Sequence, residues 1–284
     1  MAYPVPRRDA KPIGSVSPGG KNSRMRKFVI IVLVSLSVLL LAALFLMPDV
    51  GRLKNENPKK TSFMEHRERE WEEKGKKYRI QQRWVPLSRI SPYLVKAVLI
   101  AEDDKFWKHE GFDYEAIQKA IEKDIEAKKF KLGGSTISQQ LVKNLYLSPS
   151  KNPLRKISEA IITWRIEGVL PKKRILEIYL NVIEWGEGIF GVEAAARHYY
   201  GKPSSQLTAD EAARLAAVLP NPRKYNPLGE QRYVVNRSRL IYSIMVRRGI
   251  VVPDFQDVAD GGPPQQNNGM APQPVPIEKL SPSE

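Results

Sequence analysis

The chain has 284 residues, and 42% of them are hydrophobic, which suffices for one large globular domain with an ordinary core. It contains no cysteine, which excludes a disulfide framework and thiol catalysis. The formal net charge of +15 favours an anionic partner, which could be nucleic acid, phospholipid headgroups or a substrate that carries phosphate.

The N-terminal region predicts a membrane anchor. Residues 28–47 form an apolar run without charge that is long enough to cross a bilayer as a helix. Residues 1–27 carry seven basic residues and one acid, so the positive-inside rule places this tail in the cytoplasm and the rest of the chain outside. A cleavable signal peptide is the alternative, but its apolar core would be shorter and would end in a small-residue cleavage site. Because the domain is exported, the positive charge favours lipid over nucleic acid.

Three regions follow the anchor. Residues 48–85 are typical of a charged, solvated juxtamembrane segment, in which we expect Trp71 and Trp84 to pack in an ordinary way. Residues 86–253 carry the periodic apolar pattern of a compact domain. Residues 254–284 are rich in proline and glutamine, which predicts a disordered tail.

The compact domain is predicted to be all-helical. Strand-length runs of alternating β-branched residues are nearly absent from it. The apolar periodicity predicts helices over residues 92–108, 114–129, 137–146, 154–170, 173–182, 188–200, 209–219 and 233–248.

A carboxylate interrupts the apolar stripe of the first of these helices. Val95, Leu99, Glu102 and Phe106 share one helical face. Loss of water disfavours the charged form of a carboxylate and raises its pKa, which suits a general base near neutral pH. The alternative is a structural glutamate that pairs with a lysine or an arginine.

A second carboxylate, Glu159, lies in a helix that is apolar nearly all round, which indicates burial. Arg155 precedes it by one turn, so the two side chains can form an ion pair. A buried structural ion pair is the alternative interpretation. Two carboxylates on core-facing stripes of different helices nevertheless resemble the acid and base pair of glycosyl chemistry.

Polar side chains concentrate in residues 133–144, GGSTISQQLVKN. Ser135 or Thr136 can cap the helix that follows, and Thr136, Gln140 and Lys143 fall on one face of it. Free N–H groups at the helix start, beside a hydroxyl, an amide and an ammonium, would suit a phosphate or pyrophosphate next to sugar hydroxyls. A capped polar helix would explain the two hydroxyls but not the remaining polar side chains.

Four motifs in order resemble those of the family 51 peptidoglycan glycosyltransferases, which occur as monofunctional enzymes and as the first domain of class A penicillin-binding proteins. The matching residues are Glu102-Asp103-x-x-Phe106-x-x-His109-x-Gly111, Gly133-Gly134-Ser135-Thr136-Ile137-x-Gln139-Gln140-x-x-Lys143-Asn144, Arg155-Lys156-x-x-Glu159 and Lys172-x-x-Ile175-Leu176-Glu177-x-Tyr179-Leu180-Asn181. The match extends over about residues 84–249. A looser fifth motif, Arg237-Ser238-Arg239, stands where the family tends to have paired arginines and an asparagine, and no role is assigned to it.

The resemblance implies a lysozyme-like helical fold and polymerisation of lipid II. The transfer would invert the anomeric configuration, form a β-1,4 link and release undecaprenyl pyrophosphate. Glu102 would be the general base. Glu159 would be the second essential carboxylate and would help the pyrophosphate leave, directly or through a divalent cation such as Mg²⁺ or Mn²⁺. No organic cofactor is implied.

The resemblance also implies a set of substrate-binding residues. Lys143 and Arg155 would neutralise the diphosphate, and other members would orient the substrates or shape the site around Glu102. The full set is Asp103, Phe106, His109, Gly134, Ser135, Thr136, Gln140, Lys143, Asn144, Arg155 and Lys172.

The implied partners are lipid II, the growing lipid-linked glycan and membrane lipids, together with cell-division or elongation proteins and penicillin-binding proteins, but no nucleic acid. The implied location is the bacterial inner membrane, which the chain would cross once, with the catalytic domain on the periplasmic side.

Two rival functions remain open. A lytic, lysozyme-like glycosidase would also use two carboxylates but has no need of a phosphate-binding motif. A membrane scaffold without catalytic activity would tolerate loss of both glutamates. The spacing of Ser148 and Lys151 matches the acyl-serine motif of transpeptidases, but the accompanying motifs are lacking, and it is interpreted as a chance match. Three dispersed histidines and no cysteine make a structural zinc site unexpected.

Overall fold

The protein divides into two units, Met1–Met47 and Pro48–Glu284. Its structure is a computed structural model that describes residues 20–45, 47–126, 134–147 and 153–252. The basic N-terminal tail up to residue 19, the motif at Ser148 and Lys151, and the C-terminal tail from residue 253 onward lie outside the described residues.

The first unit contains helix α1 (Gly20–Phe45), which includes most of the apolar run of residues 28–47. Within the described part of the chain, no helix combines the length and the apolar character that a membrane crossing requires. The membrane anchor therefore stays a prediction from the sequence.

The second unit is mainly helical, as the sequence predicts. Its helices are α2 (Ser62–Glu73), α3 (Pro92–Glu102), α4 (Tyr114–Glu126), α5 (Ile137–Tyr146), α6 (Pro153–Val169), α7 (Lys172–Val182), α8 (Val192–Tyr200), α9 (Ala209–Val218) and α10 (Arg232–Arg247). Short 3₁₀ turns occur at Gly51–Lys54, Leu87–Arg89, Phe106–Lys108 and Ser204–Gln206. Helices α3 to α10 correspond one by one to the helices that the apolar periodicity predicts.

A small three-stranded sheet departs from the all-helical prediction. It has the order β1 (Gln81–Gln82), β3 (Ile189–Phe190), β2 (Glu184–Gly186), with β1 parallel and β2 antiparallel to β3. Gln81 lies opposite Ile189, and Glu184 lies opposite Phe190. Strands of two or three residues are too short to produce a detectable alternation in the sequence.

Helix α3 ends six residues earlier than its apolar stripe suggests. Its last residue is Glu102, and Asp103 then adopts an extended backbone with φ −163° and ψ 77°. The chain continues through a 3₁₀ turn, Phe106–Lys108, which returns Phe106 to the core, where it is fully buried. Glu102 and Phe106 therefore both point inward, although they are not on one continuous helix.

The start of α8 depends on a glycine. Gly191 has φ 78°, and a Cβ atom there would lie 2.6 Å from the carbonyl oxygen of Asn181. Any side chain at this position would collide with the backbone of α7. The helix consequently begins at Val192 rather than at residue 188.

Two helical layers form the core around the site. Helix α9 packs against α3 and α10, and its alanines, such as Ala212 and Ala216, are fully buried where the three helices approach. Helix α5 packs against α2, α6 and α7. The C-terminal end of α3 and the N-terminal end of α5 meet between these two groups, because Asp103 accepts a hydrogen bond from Ile137.

Residues 48–85 belong to the packed domain rather than to a separate solvated segment. Val50, Leu53, Met64 and Trp71 are all buried, and Met64 and Trp71 pack with Phe190 in one cluster. Trp71 also donates a hydrogen bond to Glu187 over 2.6 Å, which confirms ordinary packing for this residue. The compact unit thus begins at Pro48 instead of residue 86.

Helix α6 is buried on one side only, contrary to the prediction of burial all round. Glu159, Ile162 and Ile166 are buried, whereas Ile157 is 58% exposed and Trp164 is 70% exposed. The apolar side chains of α6 therefore extend around more of the helix than the face that packs against the core.

Candidate active site

Asp103 joins the first motif to the second. Its buried carboxylate accepts the N–H of Ile137 over 2.9 Å and hydrogen bonds Nε2 of His109 over 2.9 Å. The N–H of Gly111 donates to Nδ1 of His109 over 3.2 Å, so Nδ1 is the unprotonated ring nitrogen and Nε2 carries the proton. Asp103 and His109 therefore hold the end of α3 against the start of α5, and neither of them lines the cavity described below.

Thr136 is the N-cap of α5, as the sequence allows, but its hydroxyl is not on an open face. It accepts the N–H of Gln139 over 3.2 Å and donates to the carbonyl oxygen of Gly111 over 2.7 Å. The side chain of Gln139 accepts the N–H of Thr136 in return, which completes a capping box. Thr136 is buried and its hydroxyl is bonded within the protein, so its expected role in orienting substrates stays a prediction.

Two of the amides at the start of α5 that the sequence predicts to be free for a phosphate already have partners. The N–H of Ile137 is bonded to Asp103, and the N–H of Gln139 is bonded to Thr136. A negative charge already occupies this helix end, because Asp103 lies there. The start of α5 is therefore unfavourable for a second anion.

Phe106 and Lys172 pack against each other next to the start of α5. The ammonium of Lys172 lies 4.5 Å from the centre of the Phe106 ring and donates to Glu167 over 2.9 Å. The hydroxyl of Ser138 donates to the same carboxylate. Neither Phe106 nor Lys172 lines the cavity, and the two residues contact each other.

Gly134 and Ser135 lead into α5 and are half-buried. A Cβ atom on Gly134 would lie 3.6 Å from the carbonyl oxygen of Ala116, which is an ordinary contact. Close packing therefore does not require glycine at this position. Gly133 lies outside the described residues.

Glu102 lies at the end of α3 with 12% of its side chain exposed. Its Oε2 accepts a hydrogen bond from Nε2 of Gln140 over 2.9 Å, and the hydroxyl of Tyr179 donates to Oε1 of Gln140 over 2.9 Å. Nη2 of Arg237 lies 3.6 Å from Oε1 of Glu102. Among the described residues, Oε1 has no hydrogen-bond partner.

These surroundings determine the proton affinity of Glu102. Burial raises the pKa of its carboxyl group, while the hydrogen bond from Gln140 and the charges of Arg237 and Lys143 act in the opposite direction. Burial also holds the pKa of the Tyr179 hydroxyl well above its usual range, so this group remains a donor to Gln140. The result is a carboxylate that accepts a proton more readily than an exposed glutamate and has one oxygen free to do so.

A cavity of about 570 Å³ is lined by Gln140, which holds this carboxylate, although Glu102 itself is not part of the cavity wall. Helices α5, α6 and α7 contribute Gln140, Lys143, Asn144, Arg155 and Tyr179 to its wall. The structure thus brings together those predicted substrate-binding residues that lie on the second half of the second motif and at the start of the third.

The remaining wall comes from parts of the chain that the sequence analysis did not assign to a site. Phe63 and Arg67 of α2 line the cavity together with Glu184, Asn221 and Arg223. Arg67 is bonded to Glu184 over 2.8 Å, and this pair holds α2 against strand β2. The charged sequence of α2 gave no indication of this contact, because its partner lies more than a hundred residues later.

Three cations surround Glu159, which is fully buried. Lys156 donates to its Oε1, and Nη1 of Arg155 lies 3.6 Å from its Oε2. Burial lowers the pKa of Lys143, and the charge of Glu159 opposes this effect. One carboxylate among Lys143, Arg155 and Lys156 leaves an excess of positive charge, which suits a diphosphate.

These surroundings do not fit a divalent cation at Glu159. Its two oxygens face Lys156 and Arg155, which would repel a metal ion. Within the described residues, no group of three or more acidic, histidine or cysteine side chains could hold a metal. Magnesium and manganese bind mainly through several oxygen ligands, and the described residues around Glu159 do not supply such a set.

Comparisons with known proteins identify the family of the chain. The family model described as Transglycosylase matches residues 68–246. Similar proteins include the biosynthetic peptidoglycan transglycosylases of Nitrosospira multiformis, with 50% identity over 68% of this chain and 84% of the relative, and of Janthinobacterium sp. (strain Marseille), with 50% identity over 78% of this chain and 95% of the relative. A third, from Dechloromonas aromatica, is 55% identical over 60% of this chain and 74% of its own length.

Proposed function

Because the chain belongs to the transglycosylase family and is a glycosyltransferase of peptidoglycan synthesis, we propose that it polymerises lipid II. The 4-hydroxyl of the acceptor's GlcNAc attacks the anomeric carbon of the donor's MurNAc, and undecaprenyl pyrophosphate leaves. Attack from the face opposite the leaving group inverts the configuration and gives a β-1,4 link. The observation that carries this proposal is that α5 holds a buried carboxylate through Gln140 and contributes Lys143 to a cluster of cations.

Glu102 acts as the general base in this proposal. Its Oε1 has no hydrogen-bond partner among the described residues, while its Oε2 is held by Gln140. Oε1 takes the proton of the acceptor hydroxyl as the new C–O bond forms. The electron pair of the breaking bond between the anomeric carbon and the phosphate oxygen stays on the pyrophosphate.

Lys143 and Arg155 bind the pyrophosphate, and Lys156 adds a third positive charge beside them. These cations then stabilise the charge that develops on the leaving group in the transition state. Glu159 orients these cations and prevents their mutual repulsion from spreading them apart. Its role in the proposal needs no metal ion.

Helix α5 sets the distance between the base and the leaving group. Gln140 holds Glu102, and Lys143 follows it by three residues on the same helix. This separation corresponds to about 4.5 Å along the helix axis. A rigid helix thus positions both reacting ends of the two substrates, which favours a reactive geometry.

The location follows from the chemistry of a lipid-linked substrate. We propose that the domain works at the outer face of the inner membrane, with residues 28–47 as anchor and the basic tail in the cytoplasm. The described apolar side chains of α1, such as Phe28, Ile30 and Leu33, are exposed, which suits contact with lipid.

The test is incubation of the purified full-length protein with lipid II in detergent, followed by separation of the glycan products. We expect glycan strands that a muramidase can digest, since this digestion requires β-1,4 links. A parallel incubation with preformed glycan distinguishes a lytic enzyme, which would shorten it. Shortening of preformed glycan without any polymerisation would contradict the proposal.

A further inference from the structure

We propose that Arg237 of α10 is a positioning residue that keeps Glu102 ionised before each transfer while it leaves Oε1 free for the acceptor proton. This inference rests on the proposed function of Glu102 as the general base. It gives a role to the fifth motif, for which the sequence alone gave none.

The geometry places Arg237 between the end of α3 and the base. Its Nη2 donates to the carbonyl oxygen of Ala101 over 3.1 Å and lies 3.6 Å from Oε1 of Glu102. Its Nε is buried and has no partner among the described residues. The carbonyl of Ala101 belongs to the last turn of α3, where carbonyl groups lack partners within the helix, so the guanidinium both satisfies it and fixes the residue before Glu102.

The distance of 3.6 Å is the important feature. A direct hydrogen bond from a guanidinium would occupy Oε1 and compete with the acceptor hydroxyl. At 3.6 Å the positive charge still attracts the carboxylate, but the lone pairs of Oε1 remain available. The hydrogen bond to Ala101 holds Nη2 at this distance.

Other charged and titratable groups also face Glu102. Lys143 comes from α5, Tyr179 from α7 and Asp103 from the residue that follows. Arg237 lowers the pKa of Glu102 more than Lys143 does, whereas burial and Asp103 raise it. Because Lys143 is also committed to the diphosphate, Arg237 is the cation that can act on the base throughout the cycle.

This arrangement has a consequence for repeated transfers. When Glu102 takes the acceptor proton, the attraction between its charge and Arg237 disappears. The guanidinium, which keeps its own proton at every relevant pH, therefore favours transfer of the new proton from Glu102 to solvent water. The base returns to its ionised form before the next sugar is added.

The experiment is a pH–rate profile of lipid II polymerisation for wild type, Arg237→Gln and Arg239→Gln, each with a thermal melt at every pH. Arg239 is exposed on the same helix, so its substitution removes the same charge without touching Glu102. We expect the acid limb of kcat/KM to move upward by about one pH unit in Arg237→Gln, because an opposite charge at this distance shifts a carboxyl pKa by that order. The limb of Arg239→Gln should coincide with that of wild type.

Two outcomes would overturn the inference. One is a folded Arg237→Gln protein with an unshifted limb and an equal loss of rate at all pH values, which is the result of a purely structural cap on α3. The other is an equal shift in both variants, which is the result of net charge alone. If Arg237→Gln does not fold, Arg237→Met, which retains the aliphatic stem, is used in its place in the same comparison. Arg237→Lys should restore the limb toward its wild-type position.

The same data separate this inference from the proposed function. Absence of polymerisation by the wild-type protein would contradict the function itself. Polymerisation by wild type with an unshifted limb in Arg237→Gln would contradict only the role of Arg237.

Discussion

The amide of Gln140 connects Tyr179 to Glu102. Its Oε1 accepts the tyrosine hydroxyl over 2.9 Å, and its Nε2 donates to the carboxylate over 2.9 Å. A tyrosine hydroxyl that donates to one side of the amide forces the NH₂ group toward the other side. Tyr179 therefore determines that Gln140 presents a donor, and not an acceptor, to the ionised base.

Tyr179→Phe should destabilise the domain and slow the reaction. It removes a part-buried hydrogen bond to the amide oxygen of Gln140, which typically costs about 0.5–1.5 kcal/mol, and it allows the amide of Gln140 to turn. The measurement is urea unfolding together with the polymerisation rate. Tyr200→Phe is the matched control, since the buried hydroxyl of Tyr200 has no hydrogen-bond partner among the described residues. Equal stability losses in the two variants would contradict the assigned role of Tyr179.

Lys143→Ala should impair use of the donor and leave the fold intact. Lys143 lies among Arg155, Lys156 and Glu159, and its removal relieves repulsion between cations in the free protein. Loss of one preorganised group that stabilises developing charge typically lowers the rate by about 10²–10³-fold. The measurement is turnover with lipid II, with the exposed Lys108→Ala as control for loss of a charge. Normal turnover by a folded Lys143→Ala protein is incompatible with a diphosphate site at this position.

Asp103→Asn should loosen the junction of α3 and α5. Two donors, the N–H of Ile137 and Nε2–H of His109, converge on the carboxylate, and an asparagine would direct its own NH₂ group toward one of them. The expected loss of stability is about 1–3 kcal/mol. Asp104→Asn serves as control, because its pair with Arg248 is exposed and such pairs contribute about 0–1 kcal/mol. The ranking of the two unfolding free energies is the decisive result, and a reversed order would refute the junction.

Glu102→Gln should make the domain more stable near neutral pH. The folded state raises the pKa of Glu102, so it binds a proton more tightly than the unfolded chain does. Stability of the wild type therefore falls as the pH rises from the unfolded pKa, about 4.3, through the folded pKa. Glutamine does not ionise and avoids this loss. Thermal melts should show an advantage for the variant at about pH 7 that shrinks toward pH 4, whereas a constant difference at all pH values would show that ionisation is not its cause.

Much of the fold could be predicted because local patterns determine it. Helix α5 has the bounds that the sequence predicts, because a hydroxyl cap precedes an apolar stripe; the cap is Thr136, one of the two candidates, and Gln139 completes a capping box. The burial of Glu102 could be predicted from its position on the apolar stripe with Val95 and Leu99. The residue at which α3 ends could not be predicted in this way. That end depends on Asp103, whose carboxylate accepts the N–H of Ile137, thirty-four residues later.

Long-range partners also explain what the sequence could not reveal about the site. The charges of α2 were interpreted as solvated, but Arg67 pairs with Glu184 across 117 positions. The position of Arg237 beside Glu102 arises because α10 packs against α3. Both contacts join residues that are far apart in the sequence, so the spacing of residues within one helix could not predict them.

The most direct test of the account is the polymerisation rate of Glu102→Gln, measured together with its thermal melt on the same preparation. Glutamine retains the shape of the side chain but cannot accept the proton, and loss of a general base typically lowers the rate by about 10²–10⁴-fold. Glu110→Gln, which alters an exposed carboxylate in the loop after α3, should match wild type in both measurements. We expect Glu102→Gln to melt at or above the wild-type temperature and to polymerise lipid II at a rate at least about 10²-fold lower. A folded Glu102→Gln protein that polymerises within a few-fold of wild type would contradict the assignment of Glu102 as the base.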